Sequence, residues 1–376
     1  MQKWKEYKLD QIAHLVKDTF KPNAEESLPY IGLEHIEEQQ LRLNSIGHSS
    51  EVISNKFYFQ PNDVLFGKLR PYFRKVVQPK FKGVCSTDIW VLRAKQGFDQ
   101  DFLYYFVANK DFVDLSNNAD TGTRMPRADW DFMKETDWFL PESIDEQKEI
   151  AYVLKCLHEK INLLLNNNNS IENLAQAFFR QWFEEEENDW EDKPLDEVAE
   201  FLNGLACQKF PHVSGDYYSV IKIKELRTGF TDATDKTSVD VPEKYIVENG
   251  DVIFSWSGSL EVVIWPFGKG ILNQHLFKVT SEKYPKWFYY LWCKYYLHEF
   301  RNIANDKATT MGHIQRHHLS EALVIVPPPK VMEKMDKTMT PLIEKIISNN
   351  KQIQNLQQLR DTYLSKLMSG EARVKM

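Results

Sequence analysis

The sequence predicts an α+β protein: two mixed α/β segments, the second repeating the first, joined by two long helices that pair as an antiparallel coiled coil. Three observations predict it. Landmarks recur at a separation of about 185 residues. Trp4, Leu9, Asp10 and Ala13 fall on Trp190, Leu195, Asp196 and Ala199, and Asp63-Val64-Leu65-Phe66 falls near Asp251-Val252-Ile253-Phe254. Phe102, Leu103, Tyr104 and Tyr105 fall on Phe288, Tyr289, Tyr290 and Leu291, and Leu157, Glu159, Lys160 and Ile161 on Leu342, Glu344, Lys345 and Ile346. Each half also closes on a stretch whose apolar residues alternate in steps of four and three, the heptad pattern of a coiled coil. Finally, the remaining sequence breaks into short β-rich runs bounded by turn residues, with the 13% aromatic content that compact cores use.

Residues 1–143 form the first mixed segment. Strands are expected around Asp63–Phe66 and Ile89–Leu92, with a turn at Pro61-Asn62-Asp63 and one amphipathic helix over 99–110. The first long helix occupies 144–186. Pro141 stops the strand before it, and Ser143 or Asp145 can cap it. Residues 145–183 contain no Pro or Gly, and the seam reads Ile150, Leu154, Leu157, Ile161, Leu164, Asn168, Ile171, Ala175, Phe178 and Trp182. Residues 187–328 repeat the mixed segment. Strands are expected at Val220–Ile223, Val252–Trp256 and Leu323–Val326, with a turn at Asn249-Gly250-Asp251 and a helix over 285–301. The second long helix, 329–376, follows Pro327-Pro328-Pro329 and stops at Gly370. Its seam reads Met335, Met339, Leu342, Ile346, Asn349, Ile353, Leu356, Arg360, Tyr363 and Leu367, and Pro341 should kink or break it. One asparagine per seam, Asn168 and Asn349, costs stability but can fix register. Pairing the two helices buries both seams in a rod of roughly 60 Å with a mixed segment at each end. The alternative is two unrelated helices, each covering its own segment.

The 376 residues suffice for two or three domains with proper cores. No apolar run approaches membrane-spanning length, no apolar signal core follows Met1, and Cys85, Cys156, Cys207 and Cys293 lie far apart. A cytoplasmic protein with reduced thiols and no metal held by cysteine follows. The net charge of −7 is unevenly spread: −2 over 1–143, −6 over 144–189, −3 over 190–327 and +4 over 328–376. The mixed segments are near neutral, so tight binding to nucleic acid would call for help from a partner subunit.

The motifs of independent catalysis are missing. The chain has no phosphate-binding G-x-x-x-x-G-K-[ST] loop, no G-x-G-x-x-G, no G-x-S-x-G elbow and no amino-methyltransferase [ND]-P-P-[YF]. His158-Glu159 lacks the second histidine of a zinc helix, and no credible nuclease core is present. What remains is binding chemistry at matching places in the two copies. The first copy carries Lys68, Arg70, Arg74 and Lys75 around Tyr72, and a polar loop with Thr123, Arg124 and Arg127. The second carries Ser255, Trp256 and Ser257, and then Thr309, Thr310, His313, Gln315 and Arg316. Arginine and lysine can read guanine, glutamine can read adenine, and hydroxyls and loop amides can hold phosphate. Taken singly each residue reads better as part of a solvated hairpin; as two sets at matching places they read as a DNA-binding surface. His313, His317 and His318 show no acidic or cysteine partner at fitting spacing, so polar contacts rather than a metal are expected there.

Several local runs carry a family resemblance. They are Leu157–Ile161 continuing to Leu174-Ala175-Gln176-Ala177-Phe178-Phe179-Arg180-Gln181-Trp182-Phe183, the pre-helix run Phe139–Ile150, and Leu364-Ser365-Lys366-Leu367-Met368-Ser369-Gly370-Glu371. With the two-fold internal order, these runs make the whole chain resemble a type I restriction-modification specificity subunit. The resemblance implies two target-recognition domains, each reading one half of a bipartite, asymmetric site on double-stranded DNA. It implies helices that act as spacer and docking surface for two methylation subunits carrying S-adenosylmethionine. It also implies two restriction subunits using ATP and Mg, with no catalytic residue, cofactor or metal in this chain. Val331-Met332-Glu333-Lys334 and Pro341 depart from the first copy, so docking at the second helix is expected to differ in detail. A two-domain protein-binding scaffold is the competing reading; a self-sufficient restriction enzyme is a third, disfavoured by the missing motifs.

Overall fold

The computed structural model describes residues 3–22, 26–118, 126–185, 189–231, 233–306 and 312–374. They divide into two compact units, Met1–Glu159 with Gln357–Met376, and Lys160–Leu356. Both long helices therefore contribute to both units.

In the first unit a four-stranded antiparallel sheet runs in the order Ala13–Val16, Ile89–Ala94, Val64–Gly67, Val76–Val77. A second sheet of five strands runs Thr19–Phe20, Lys56–Phe59, Gly83–Cys85, Pro29–Ile31, Gly47–His48, and only its Pro29–Ile31/Gly83–Cys85 pair is parallel. Trp4–Lys8 pairs with Asp137–Pro141 beside them. The second unit repeats the plan. Its first sheet runs Glu200–Asn203, Leu276–Thr280, Val252–Ser255, Val262–Ile264. Its second runs Lys236–Ser238, Tyr217–Ile221, Gly270–Leu272, Ile246–Val247, again with one parallel pair, and Glu191–Pro194 pairs with Leu323–Val326. Among the described residues the copies differ at one edge, where only the first has the extra strand Thr19–Phe20.

The central strands Val64–Gly67 and Val252–Ser255 are buried at every position, as a strand covered on both faces must be. The expected turn precedes each, with Asn62 and Gly250 at positive φ of 72° and 95°. Asp63 and Asp251 close these turns by accepting the main-chain N–H of Gln60 and Glu248, and each also pairs with a cation, Arg93 and Lys278.

The single helix expected in each copy is two. Gln100–Ala108 gives way to Lys110–Asn118, and Lys286–Tyr295 to Leu297–Asp306. Asn109 has extended backbone (ψ 148°), which ends the first helix. Residues 102–108 are all buried, so this helix is a core element rather than an amphipathic one.

The first long helix runs Ile144–Arg180, with the Ser143 hydroxyl accepting the Glu146 N–H, and passes into a π-helical turn at Gln181–Glu185. The second runs Pro329–Met368 without the break expected at Pro341; buried Met339 and Ile343 hold the helix on both sides of the proline. Gly370, at φ 75°, ends it as read from the sequence. The pairing is antiparallel. In the first unit Ile150 and Leu154 share a core with Leu364, Leu367 and Met368. In the second, Ile161 and Leu164 pack with Ile353 and Leu356, and Ile171 and Ala175 share a core with Leu342 and Ile346. Fully buried Asn349 donates to Asn167 (2.9 Å) and Asn168 (2.8 Å), and Asn168 donates to Asn350 (2.7 Å). The seam shifts by one residue at the end of the first helix, where Phe179 and Phe183 are buried in place of Phe178 and Trp182, and at Leu364 in place of Tyr363; Ile150, Leu154, Met335, Met339 and Leu367 are buried as expected. A helix of 3.6 residues per turn drifts against a strict 3.5-residue repeat, and the drift accumulates over several turns.

Candidate nucleic-acid interface

In each unit the two loops picked out from the sequence lie side by side. The loop after Val64–Gly67 meets the segment before the helix Trp130–Met133: Arg70 N–H donates to the Pro126 carbonyl at 2.7 Å and Ala128 N–H to the Lys68 carbonyl at 2.8 Å, with Leu69 opposite Arg127. The loop after Val252–Ser255 does the same before the helix Arg316–Glu321: Gly258 N–H donates to Gly312 at 2.8 Å and Ile314 N–H to Trp256 at 3.0 Å, with Ser257 opposite His313. Gly312 is required, since a Cβ there would lie 2.4 Å from the Ala304 carbonyl oxygen. Both copies thus build one main-chain frame and place different side chains on it.

On the first frame Lys68 is half-buried, and Arg70 packs 5.9 Å from the Phe73 ring centroid. Arg127 is exposed and lies 3.4 Å from Asp88. Tyr72 is exposed beside them. Arg74 and Lys75 turn away, contrary to their assignment to the binding surface. Arg74 donates to the Ala108 carbonyl and to Asp361, and burial pushes its pKa down against the opposing pull of Asp361. Lys75 donates to the Leu33 carbonyl. The loop winds through left-handed backbone at Arg70 and Arg74, so its cations do not form the stripe that their spacing suggested. Thr123 and Arg124 lie outside the described residues.

On the second frame Trp256 donates from Nε1 to Asn203 Oδ1 at 3.1 Å and packs against His275, Phe277 and, edge-on, His313. Gln315 is exposed, and exposed Arg316 donates to the Phe201 carbonyl over the Phe277 ring. A cavity of about 410 Å³ opens here, lined by Asp196, Glu200, Phe201, Asn203, Arg316 and Leu319 among others. Ser255 is not a contact residue: it is fully buried, and its hydroxyl donates to the Ser259 carbonyl and accepts the Glu261 N–H. Ser257 is buried against His275 Nδ1 at 3.2 Å. Thr309 and Thr310 lie outside the described residues. Sequence reading missed Asn203 and His275, although a polar Asn-Gln-His run inside an apolar strand pattern (273–275) was a usable signal.

Glu321 is the acidic neighbour that the histidine spacing did not reveal, with its ligand atoms and those of His317 and His318 within 4.8 Å of one another. His318 cannot complete a metal site. Its Nδ1 accepts the Gln315 N–H at 3.0 Å, which leaves the ring proton on Nε2 and no lone pair to give. Three of the four thiols are held back as well: burial pushes Cys85, Cys207 and Cys293 up, away from the thiolate form, while Cys156 is exposed.

One main-chain frame, used twice, thus carries two unlike sets of basic, amide and aromatic side chains. The chain belongs to the family of type I restriction modification DNA specificity domains, whose model matches residues 1–173 and again 187–358; it supplies DNA sequence specificity within such a system and is not itself the catalyst. It is 26% identical over 310 residues to the MjaIX specificity subunit of Methanocaldococcus jannaschii, covering 75% of this chain and 71% of that one. It is 26% identical over 187 residues to the EcoDI specificity subunit of Escherichia coli, there covering 47% of this chain and 41% of the relative. A solved S subunit of a type I restriction-modification system from M. genitalium has the same fold, at a TM-score of 0.58 and 14% identity over 100% of this chain and 97% of that one. Among the described residues no helix is long and apolar enough to cross a membrane.

Proposed function

We propose that each unit reads one half of a bipartite, asymmetric site on double-stranded DNA through its pair of joined loops. The observation that carries this reading is the repeated ladder, Lys68–Arg70 against Pro126–Ala128 and Trp256–Gly258 against Gly312–Ile314, with unlike side chains on the two copies. Lys68, Arg70 and Arg127, together with Thr123 and Arg124, contact one half; Trp256, His313, Gln315 and Arg316, together with Thr309 and Thr310, contact the other. The paired long helices set the number of unread base pairs between the halves. They also dock two methylation subunits, which bring S-adenosylmethionine, and two restriction subunits, which bring ATP and Mg. The complex works in the cytoplasm. Methylome sequencing of cells expressing this chain with its methylation subunit tests the reading. One split motif with unlike halves is expected; a continuous or palindromic motif overturns it.

A further inference from the structure

We propose that Asp361, on the second long helix, and Arg74 are a positioning pair for DNA reading by the first unit: the carboxylate fixes the loop 68–75 so that Lys68 and Arg70 stand beside Arg127. The inference rests on the interface reading above. Arg70 and Arg74, at φ 53° and 48°, bracket the short 3-10 turn Pro71–Phe73. Left-handed backbone is disfavoured for residues with a Cβ, and two such residues within one loop need an outside hold. Main-chain bonds supply part of it, from Gln39 N–H to the Phe73 carbonyl and from Gly67 N–H to that of Lys75. Side chains supply the rest: Gln39 donates to the Tyr72 carbonyl, Lys75 to the Leu33 carbonyl, and Arg74, which is 11% exposed, ties the loop to the second long helix. Its Nε donates to the Ala108 carbonyl at 2.6 Å, at the end of the helix Gln100–Ala108, and both terminal nitrogens donate to Asp361 Oδ1 at 3.2 Å.

Asp361 is shared. Arg360, only 2% exposed, donates to its two oxygens at 3.2 and 3.1 Å and has a further nitrogen, Nη1, with no hydrogen-bond partner. Two guanidiniums thus meet one carboxylate. Tyr104, Tyr105 and His158 beside them bring no negative charge, since burial holds both tyrosines protonated and His158 neutral; of the carboxylates acting on those tyrosines, Asp101 is already paired with Lys155, and Glu159 is the other. Asp361 itself is 45% exposed, but the two guanidiniums that it joins are 11% and 2% exposed; with the carboxylate removed they repel and Arg74 is released, freeing the loop it anchors. The matching loop of the second unit is held differently, by Ser255 on the Ser259 carbonyl and by Arg301, from the helix Leu297–Asp306, on the Leu260 carbonyl. The effect therefore belongs to one half-site.

The test uses the full chain assembled with its methylation subunits and duplexes carrying the methylome-derived site with either half altered. Asp361→Asn is expected to weaken binding about tenfold, one contact's worth, and to shrink discrimination at the first half only. Asp361→Glu should restore most of it. Arg74→Met, which removes a cation instead of an anion, should reproduce the half-selective loss and covers the case in which Asp361→Asn does not fold. Equal loss at both halves, or no loss with either variant while Lys68→Ala and Arg70→Ala weaken the first half, overturns the positioning pair. Full binding by Lys68→Ala and Arg70→Ala overturns the interface reading instead.

Discussion

His158 shows how one half-buried side chain sets a pH limit. It sits on the first long helix against Tyr104, with ring centroids 6.1 Å apart, and burial together with Arg360, Lys80 and Arg42 lowers its pKa to about 4. The folded protein thus favours the neutral ring. For a depressed pKa the contribution is whole above the unfolded value near 6.5 and is lost as pH falls through the folded value. Unfolding free energy should therefore drop by about 3 kcal/mol at most between pH 6.5 and 4. His158→Leu should flatten that limb in urea titrations, and an unchanged limb would assign it to other groups. Charge was legible at this scale; direction was not. Lys68, Arg70, Arg74 and Lys75 look alike in sequence, and only the folded loop, with its left-handed turns at Arg70 and Arg74, commits Arg74 and Lys75 to the Ala108 and Leu33 carbonyls. Ser255 shows the same limit, since a hydroxyl that closes a turn and one that meets a ligand share one letter.

The elements were more legible, because periodicity reports burial directly. The strands around Val64 and Val252 and both long helices stand where pattern placed them. The failures have physical causes: the seam drifts by one residue at the end of the first long helix and at Leu364, and Asn109 splits a helix that composition alone would continue. Pro341 is carried inside an unbroken helix at an exposed position, so packing outweighs its lost hydrogen bond. Pro341→Ala should raise the unfolding free energy by about 1–3 kcal/mol, read by chemical denaturation, and no gain would mean that the helix had already relaxed around the ring. Asn349→Ala removes two hydrogen bonds to Asn167 and Asn168 and leaves a small void. A loss of about 1–2 kcal/mol is expected, while Asn349→Leu, which refills the space, should cost less. The reverse order would mean that the polar contact, not volume, governs this layer.

At the scale of the molecule the repeat carried the most information, since one duplicated plan explains sheet order, strand pairing and both loop ladders at once. It was readable because core positions recur; which bases are read was not, because recognition depends on loop side chains that no period governs. Under the proposed function, one heptad added to each long helix lengthens it by about 10 Å and should widen the gap between half-sites by about three base pairs, leaving both halves unchanged. A methylome with unaltered spacing would end the ruler idea. The joined loops have one more consequence. Each ladder is tied main chain to main chain, so its pairing does not depend on the letters displayed there, apart from those such as Ser255, Gly312 and Arg74 that also hold the fold. Such a surface can be rewritten one residue at a time, as type is reset in a fixed forme, while the scaffold and its stability stay put.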